Sequence, residues 1–241
     1  MQLNITTYNP LIDHAIRFFW DVRKKQKSAH ALSEKEDAGN RRAVTGGKQL
    51  DGFIDLFIKV AADLGVPKEC IFRKGNHLPG YFRPTKNWDL IIVSKAKHLV
   101  ALVELKSQVG SFGNNFNNRT EEAVGSAVDF WTAFREGAFP GQSAPWLGYL
   151  MLVEQSEQSN NPVKVNEPHY KVLSEFVGTS YIDRYKILCD KLVLERHYNN
   201  CCLVWSKSDY SYGTVSENTA ITSFLHSFAG HLIGQNNLFK A

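Results

Sequence analysis

The sequence predicts an α/β protein, a mixed central β-sheet flanked by helices. Two observations carry that prediction. Apolar residues recur at helical spacing in several stretches, and short continuous apolar runs of strand length lie between them. Their order adds a third: helix, strand, strand, strand, helix, strand, with additions at both ends, which is the order of a layered sheet rather than a bundle or a sandwich. The chain has 241 residues, of which 43% are hydrophobic and 22% charged, so it reads as one globular domain over residues 1–241 and not as a disordered chain.

In order along the chain, Leu11, Ile12, Ala15, Ile16, Phe19 and Val22 mark a helix over roughly residues 10–26, with Asn9-Pro10 as its start. Residues 24–47 are polar and charged, contain Arg41-Arg42 and close on Gly46-Gly47, which suggests an arm or a solvated linker. Leu50, Phe53, Ile54, Phe57, Ile58, Ala61 and Leu64 form the apolar face of a helix over 48–64, ended by Gly65. A short strand follows near 69–73, then a basic and aromatic loop through residue 84. Strands are expected at 88–93 and 98–106, then a Gly- and Asn-rich loop at 110–118 and a helix over 119–136. Another buried strand covers 146–154, and a polar loop covers 155–168. Helices are expected at 169–178 and 181–190, a strand at 201–206, and a last helix capped by Ser216 through Ile233. The core spans about 48–154, with an N-terminal helix and arm at 1–47 and an addition at 155–241.

Charge and cysteine usage narrow the function classes. The net charge is only +4, but residues 1–100 hold 17 Lys and Arg against 10 Asp and Glu, while residues 101–241 hold 11 against 14. One basic half suggests a face that meets a polyanion. The N-terminus carries no signal-like pattern, no apolar run reaches the ~20 residues of a membrane span, and Cys70, Cys189, Cys201 and Cys202 lack metal spacing. The chain therefore reads as a cytoplasmic protein with reduced thiols and no membrane partner. Nucleotide and hydrolase motifs are absent. Gly46-Gly47-Lys48 is followed by Gln49, and Arg42 stands where a phosphate-binding loop needs its first glycine.

Asp89 and the run Val103-Glu104-Leu105-Lys106 hold the chemistry. Strand side chains alternate, so Glu104 and Lys106 share a face while Leu105 points into the core. In a hairpin with Val93 opposite Leu99, Asp89 lies opposite Val103, beside Glu104, and facing residues are ~5 Å apart. A twist or a one-residue bulge then brings the two carboxylates together with Lys106 next to them. Two carboxylates so close repel unless one takes up a proton or a hard divalent cation intervenes, and Mg²⁺ suits one or two carboxylates plus water and phosphate oxygens. Lys106 is placed to hold an attacking water or to offset phosphate charge. An exposed ion pair is the competing explanation for Glu-x-Lys, but a nearly continuous apolar run ending in two charges is unusual for a strand unless its end opens into a cleft.

These residues resemble the PD-(D/E)xK nuclease superfamily: Asp89, fourteen residues, then Glu104-Leu105-Lys106, with Trp88 where the motif has Pro. A closer resemblance, to the XhoI-type restriction endonucleases, lies in Gly110-Ser111-Phe112-Gly113-Asn114-Asn115-Phe116-Asn117-Asn118-Arg119 and in Gly46-Gly47-Lys48-Gln49-Leu50-Asp51-Gly52-Phe53. The resemblance implies a restriction-endonuclease-like core and a homodimeric type II enzyme that cuts double-stranded DNA at CTCGAG with Mg²⁺, leaving 5′-phosphate and 3′-hydroxyl ends. It implies metal ligation by Asp89, Glu104 and the Leu105 carbonyl, and water activation by Lys106. A further acidic residue from the first core helix would be Asp51 or Asp55, although a solvated helix surface explains either. A host with such an enzyme needs a cognate DNA methyltransferase as its functional, not physical, partner.

For DNA reading, Asn114, Asn115, Asn117, Asn118, Arg119 and Gln108 are candidates for base contacts, since Asn pairs bidentately with adenine and Arg with guanine. Turn chemistry explains some of the asparagines. Arg73, Lys74, Arg83 and Lys86 are candidates for phosphate contacts. Tyr81 and Phe82 are expected to be packing residues, and His77 a surface residue. A two-fold surface is placed at 169–200. A repair nuclease or junction resolvase of the same fold, and a non-catalytic DNA-binding protein, are the alternatives.

Overall fold

The computed structural model describes residues 4–32 and 48–240. Its centre is a six-stranded mixed sheet in the order β1-β4-β5-β6-β7-β8. The strands are β1 (Ile71–Phe72), β4 (Leu90–Val93), β5 (Leu99–Gln108), β6 (Trp146–Glu154), β7 (Asn200–Ser206) and β8 (Tyr212–Thr214). Strands β5, β6 and β7 run parallel, and the outer pairings are antiparallel. A separate ribbon pairs β2 (His77–Pro79) with β3 (Thr85–Asn87).

Six helices complete the described residues: α1 (Asn9–Leu32), α2 (Asp51–Asp63), α3 (Phe112–Arg135), the single turn α4 (Glu157–Asn160), α5 (Tyr181–Leu194) and α6 (Ile221–Gly234). Helices α1, α2 and α6 cover one face of the sheet. Their residues Ile12, Phe19, Phe53, Phe57, Phe224 and Phe228 pack on Val103, Leu105, Leu150 and Leu152. Helices α3 and α5 cover the other face, where Phe112, Phe130, Tyr185 and Cys189 pack on Leu102, Tyr149, Met151 and Leu203. Adjacent Cys201 and Cys202 fall in opposite layers, and all four cysteines are buried free thiols. Among the described residues, no helix is long and apolar enough to cross a membrane.

The mixed sheet and the predicted element order are present, with five corrections. Helix α1 runs on to Leu32, so the front of the expected arm is helical, whereas Arg41, Arg42, Gly46 and Gly47 lie outside the described residues. The basic loop before Asp89 contains the β2–β3 ribbon, in which buried Leu78 pairs with Lys86. The expected Asn-rich loop is the start of α3: Phe112 stacks on Tyr181 and Phe116 on Tyr185, and this i, i+4 anchor overrides the turn propensity of Gly and Asn. Between 169 and 178 only a 3₁₀ turn forms, at Ser174–Phe176, and Ser216 precedes a second 3₁₀ turn, so α6 begins only after Ala220.

Close helix packing behind the sheet depends on Gly52. A Cβ there would sit 2.7 Å from the Ala15 Cα, which is backbone and cannot swing aside. Gly52→Ala should therefore lower stability by about 1–3 kcal/mol, even though Ala is the better helix former. Urea unfolding measures this, and an unchanged or raised midpoint would refute so close an approach of α1 to α2.

Candidate active site

The site forms where the β4–β5 hairpin opens. Val93 pairs with Leu99 near the turn, as expected, but the register shifts between Ile92 and Val93, so that Ile92 meets Ala101, Ile91 meets Leu102 and Leu90 meets Val103. Val100 is the extra residue. This one-residue bulge carries Asp89 one step along, opposite Glu104. The Asp89 N–H donates to the Val103 carbonyl at 3.2 Å, and Asp89 Oδ2 accepts from the Leu105 N–H at 2.7 Å. Both partners lie on β5, so the backbone of that strand fixes Asp89 and its carboxylate.

Glu104 points to the α3 side and is 3% exposed. Its two oxygens are divided between two lysines. Oε1 meets Lys106 Nζ at 2.5 Å, and Oε2 meets Lys86 Nζ at 2.8 Å. Lys86 comes from β3, is 11% exposed, and lies over the Trp88 ring at 4.4 Å. Lys106 is the more open of the two, with a quarter of its side chain exposed (25%).

Electrostatics follow from this crowding. Burial, and then the adjacent Glu104 charge, raise Asp89 to about 6, against the Leu105 N–H and the two lysines, which lower it. Burial works against the Lys106 charge, but Glu104, Asp89 and Glu122 outweigh it and raise that pKa. Paired carboxylate oxygens under mutual repulsion, with the backbone carbonyl of Leu105 next to Glu104 in sequence, are a hard-oxygen donor set that suits a divalent cation of the Mg²⁺ class. Among the described residues, no cluster of three or more His, Cys, Asp or Glu side chains is placed to hold a metal ion, so Asp89 and Glu104 have no third such neighbour.

Asp89, Glu104, Leu105 and Lys106 are therefore brought together. Several other candidates are placed elsewhere. Arg73 pairs with Asp51 at 3.2 Å and with Asp55 at 2.9 Å, so these three residues engage one another in one cluster. Gln108 is 4% exposed and donates to the Gly110 carbonyl, which closes the turn before α3 and removes it from base reading. Asn114, Asn117 and Asn118 are exposed on the first turns of α3, while Asn115 bonds back to the Ser111 carbonyl. Arg119 pairs with Glu122 at 2.5 Å, and its Nε is buried without a partner among the described residues. Lys74 is exposed; Lys86 is not, because it serves Glu104. Arg83 binds Asp129 at 2.7 Å. Tyr81 and Phe82, expected to pack, are 53% and 71% exposed.

The sequence reading offered Lys86 as a phosphate contact and missed its pairing with Glu104, and it missed Asp129 altogether. Lys86 pairs with Glu104 from eighteen positions away, across the ribbon. Asp129 anchors the ribbon tip, and its only signal was a carboxylate on the apolar stripe of Ala123, Ala127 and Phe130.

Comparison with known proteins finds one family profile and several relatives similar to this chain. The profile described as Restriction endonuclease XhoI matches residues 27–217. The type II restriction enzyme BstVI of Geobacillus stearothermophilus is 49% identical over 216 residues, covering 86% of this chain and 96% of that enzyme. The type II restriction enzyme XhoI of Xanthomonas vasicola is 44% identical over 199 residues, covering 81% of this chain and 79% of that enzyme. The type II restriction enzyme AbrI of Azospirillum brasilense is 45% identical over 174 residues, covering 71% and 78%. No solved structure matches.

The Asp89 environment sets a pH dependence for the metal-free protein. Its folded pKa of about 6 lies above the ordinary 3.8, so the native state holds this proton to higher pH than the unfolded chain does. Its contribution to stability is most favourable below pH 4 and is lost as pH rises through about 6. Asp89→Asn removes the charge, and in EDTA it should be about 1–3 kcal/mol more stable than the parent at pH 8, with the gap closing toward pH 4. Urea unfolding across that range checks the trend; a variant less stable at pH 8 would contradict it.

Proposed function

The chain belongs to the XhoI restriction endonuclease family and is a type II site-specific deoxyribonuclease; from that premise we propose that Asp89, Glu104 and Lys106 form its phosphodiester-hydrolysing centre. The observation that supports this reading most is the opposition of Asp89 and Glu104 across the bulged hairpin, with Lys106 on Glu104 at 2.5 Å. Restriction enzymes matched over most of the chain favour this over a repair nuclease, a junction resolvase or a non-catalytic DNA-binding protein.

In this proposal Asp89, Glu104 and the Leu105 carbonyl hold a divalent cation, Mg²⁺ by the hardness of its donors. When bound, the cation supplies Lewis-acid charge to the scissile phosphate. The protein does the rest. The Leu105 N–H fixes the Asp89 carboxylate, so its position does not depend on a flexible side chain alone. Lys86 holds the Glu104 carboxylate from the ribbon side. Lys106, reachable from solvent, orients a water in line with the leaving 3′ oxygen and offsets charge on the phosphate. Water adds to phosphorus as the bond to O3′ breaks and that oxygen takes a proton, which leaves a 5′-phosphate and a 3′-hydroxyl.

The substrate is double-stranded DNA, with CTCGAG as the proposed site. Asn114, Asn117, Asn118 and Arg119, on the first turns of α3 just past the catalytic strand, are the proposed base readers, and exposed Lys74 a phosphate contact. A palindrome calls for a two-fold dimer. Exposed Leu173, Val177 and Leu194 support placing its surface in 169–200. In the cytoplasm a DNA methyltransferase of the same specificity would protect the host genome.

Digestion of a sequenced plasmid with and without Mg²⁺, with mapping of the ends, tests the proposal. Discrete fragments with CTCGAG at every junction are expected only with the metal. Lys106→Ala should lower the cleavage rate by at least about a hundredfold while duplex binding in Ca²⁺ stays within a few-fold of the parent. Unimpaired cutting by that variant removes Lys106 from the mechanism.

A further inference from the structure

The ribbon ends in a turn built to hold two aromatic rings in solvent. Asp129, with only 5% of its side chain exposed, accepts the N–H groups of Tyr81 at 2.9 Å and Phe82 at 2.8 Å on Oδ1, and the Arg83 Nε at 2.7 Å on Oδ2. Gly80 permits this approach, since a Cβ there would lie 2.5 Å from Asp129 Oδ2 and 2.8 Å from the Arg83 carbonyl oxygen. Pro79 and Pro84 stiffen both sides. A buried carboxylate spent on three donors of one turn is a strong anchor. Yet the rings it positions are not buried by it: Tyr81 is 53% and Phe82 71% exposed, and they meet edge to face at 4.9 Å.

Folding alone does not account for that expenditure. Neither Tyr81 nor Phe82 gains the full stabilisation that burying an aromatic side chain brings. The other end of the same ribbon explains the placement. Lys86, four residues after Phe82, touches Glu104. Four residues span at most about 13 Å, close to the ~12 Å major-groove opening, so a duplex whose scissile phosphate lies at Glu104 passes within reach of the tip.

We infer that Tyr81 and Phe82 form a preorganised aromatic wedge that presses against the bases of bound duplex DNA close to the cleaved phosphate. The inference rests on the nuclease reading and extends it to residues outside the catalytic trio. Apolar wedges act on base steps through contact and unstacking, not charge. Because Asp129 holds the turn before DNA arrives, little ordering entropy is lost on binding.

The double substitution Tyr81→Ala with Phe82→Ala tests it. Thermal unfolding should be unchanged, since both rings are exposed. Affinity for a duplex containing the mapped recognition site, measured in Ca²⁺, should fall about ten- to a hundredfold, with the salt dependence unchanged because no phosphate contact is lost. Parent-like affinity, or a loss accompanied by a shallower salt slope, overturns the wedge. An independent measurement places p-benzoylphenylalanine at position 82 of the full chain: a photocrosslink to the duplex supports the inference, while a crosslink to a second copy of the chain, or none, overturns it. These outcomes stand apart from the nuclease reading, which fails only if the parent protein does not cut DNA.

Discussion

Two carboxylates facing each other across a buried hairpin are the constraint on which this molecule turns. Side by side and out of water, Asp89 and Glu104 repel; burial first, and then the Glu104 charge, raise Asp89 to about 6. The fold answers with positive charge from two directions: Lys106 from the same strand and Lys86 from the ribbon, one to each oxygen of Glu104. Such an arrangement is poor for stability, and under the proposed mechanism a site crowded with negative charge is relieved when a cation binds.

Everything around the pair serves its position. The apolar sheet supports it from beneath, since Leu105 inserts among the α1, α2 and α6 side chains while its neighbours Glu104 and Lys106 face the α3 side. The bulge at Val100 decides whether the carboxylates meet at all; without it Asp89 would face Val103. The ribbon carries Lys86 at one end and an anchored turn at the other, so one small element couples the charge balance of the site to the presentation of Tyr81 and Phe82.

Much of this was legible in the residues. Alternation along residues 99–106 marked Glu104 and Lys106 as sharing a face, and the Val93–Leu99 pairing expected at the turn is the one observed. Helical periodicity found α1, α2 and α5. It failed at 110–118, where Gly and Asn suggested a loop and long-range stacking of Phe112 and Phe116 on α5 made a helix. Arg73, Asp51 and Asp55 look in sequence like independent recruits to a DNA or metal site, and only their mutual ion pairs show them engaged with one another. Tyr81 and Phe82 look like core residues because aromatic side chains usually are, and nothing local marks a turn whose anchor is 46 to 48 positions away.

By itself the sequence determined the α/β order, a sheet flanked by helices, and the Asp, Glu and Lys of the proposed site. These follow from periodicities of two and of three to four residues, which are written within single elements. Tertiary structure alone decided the bulge that aligns the carboxylates, the role of Lys86, the helical start of α3 and the outward set of the aromatic turn. Each depends on contacts between residues far apart in the chain, where small energies from many partners compete and local preference yields to packing and charge.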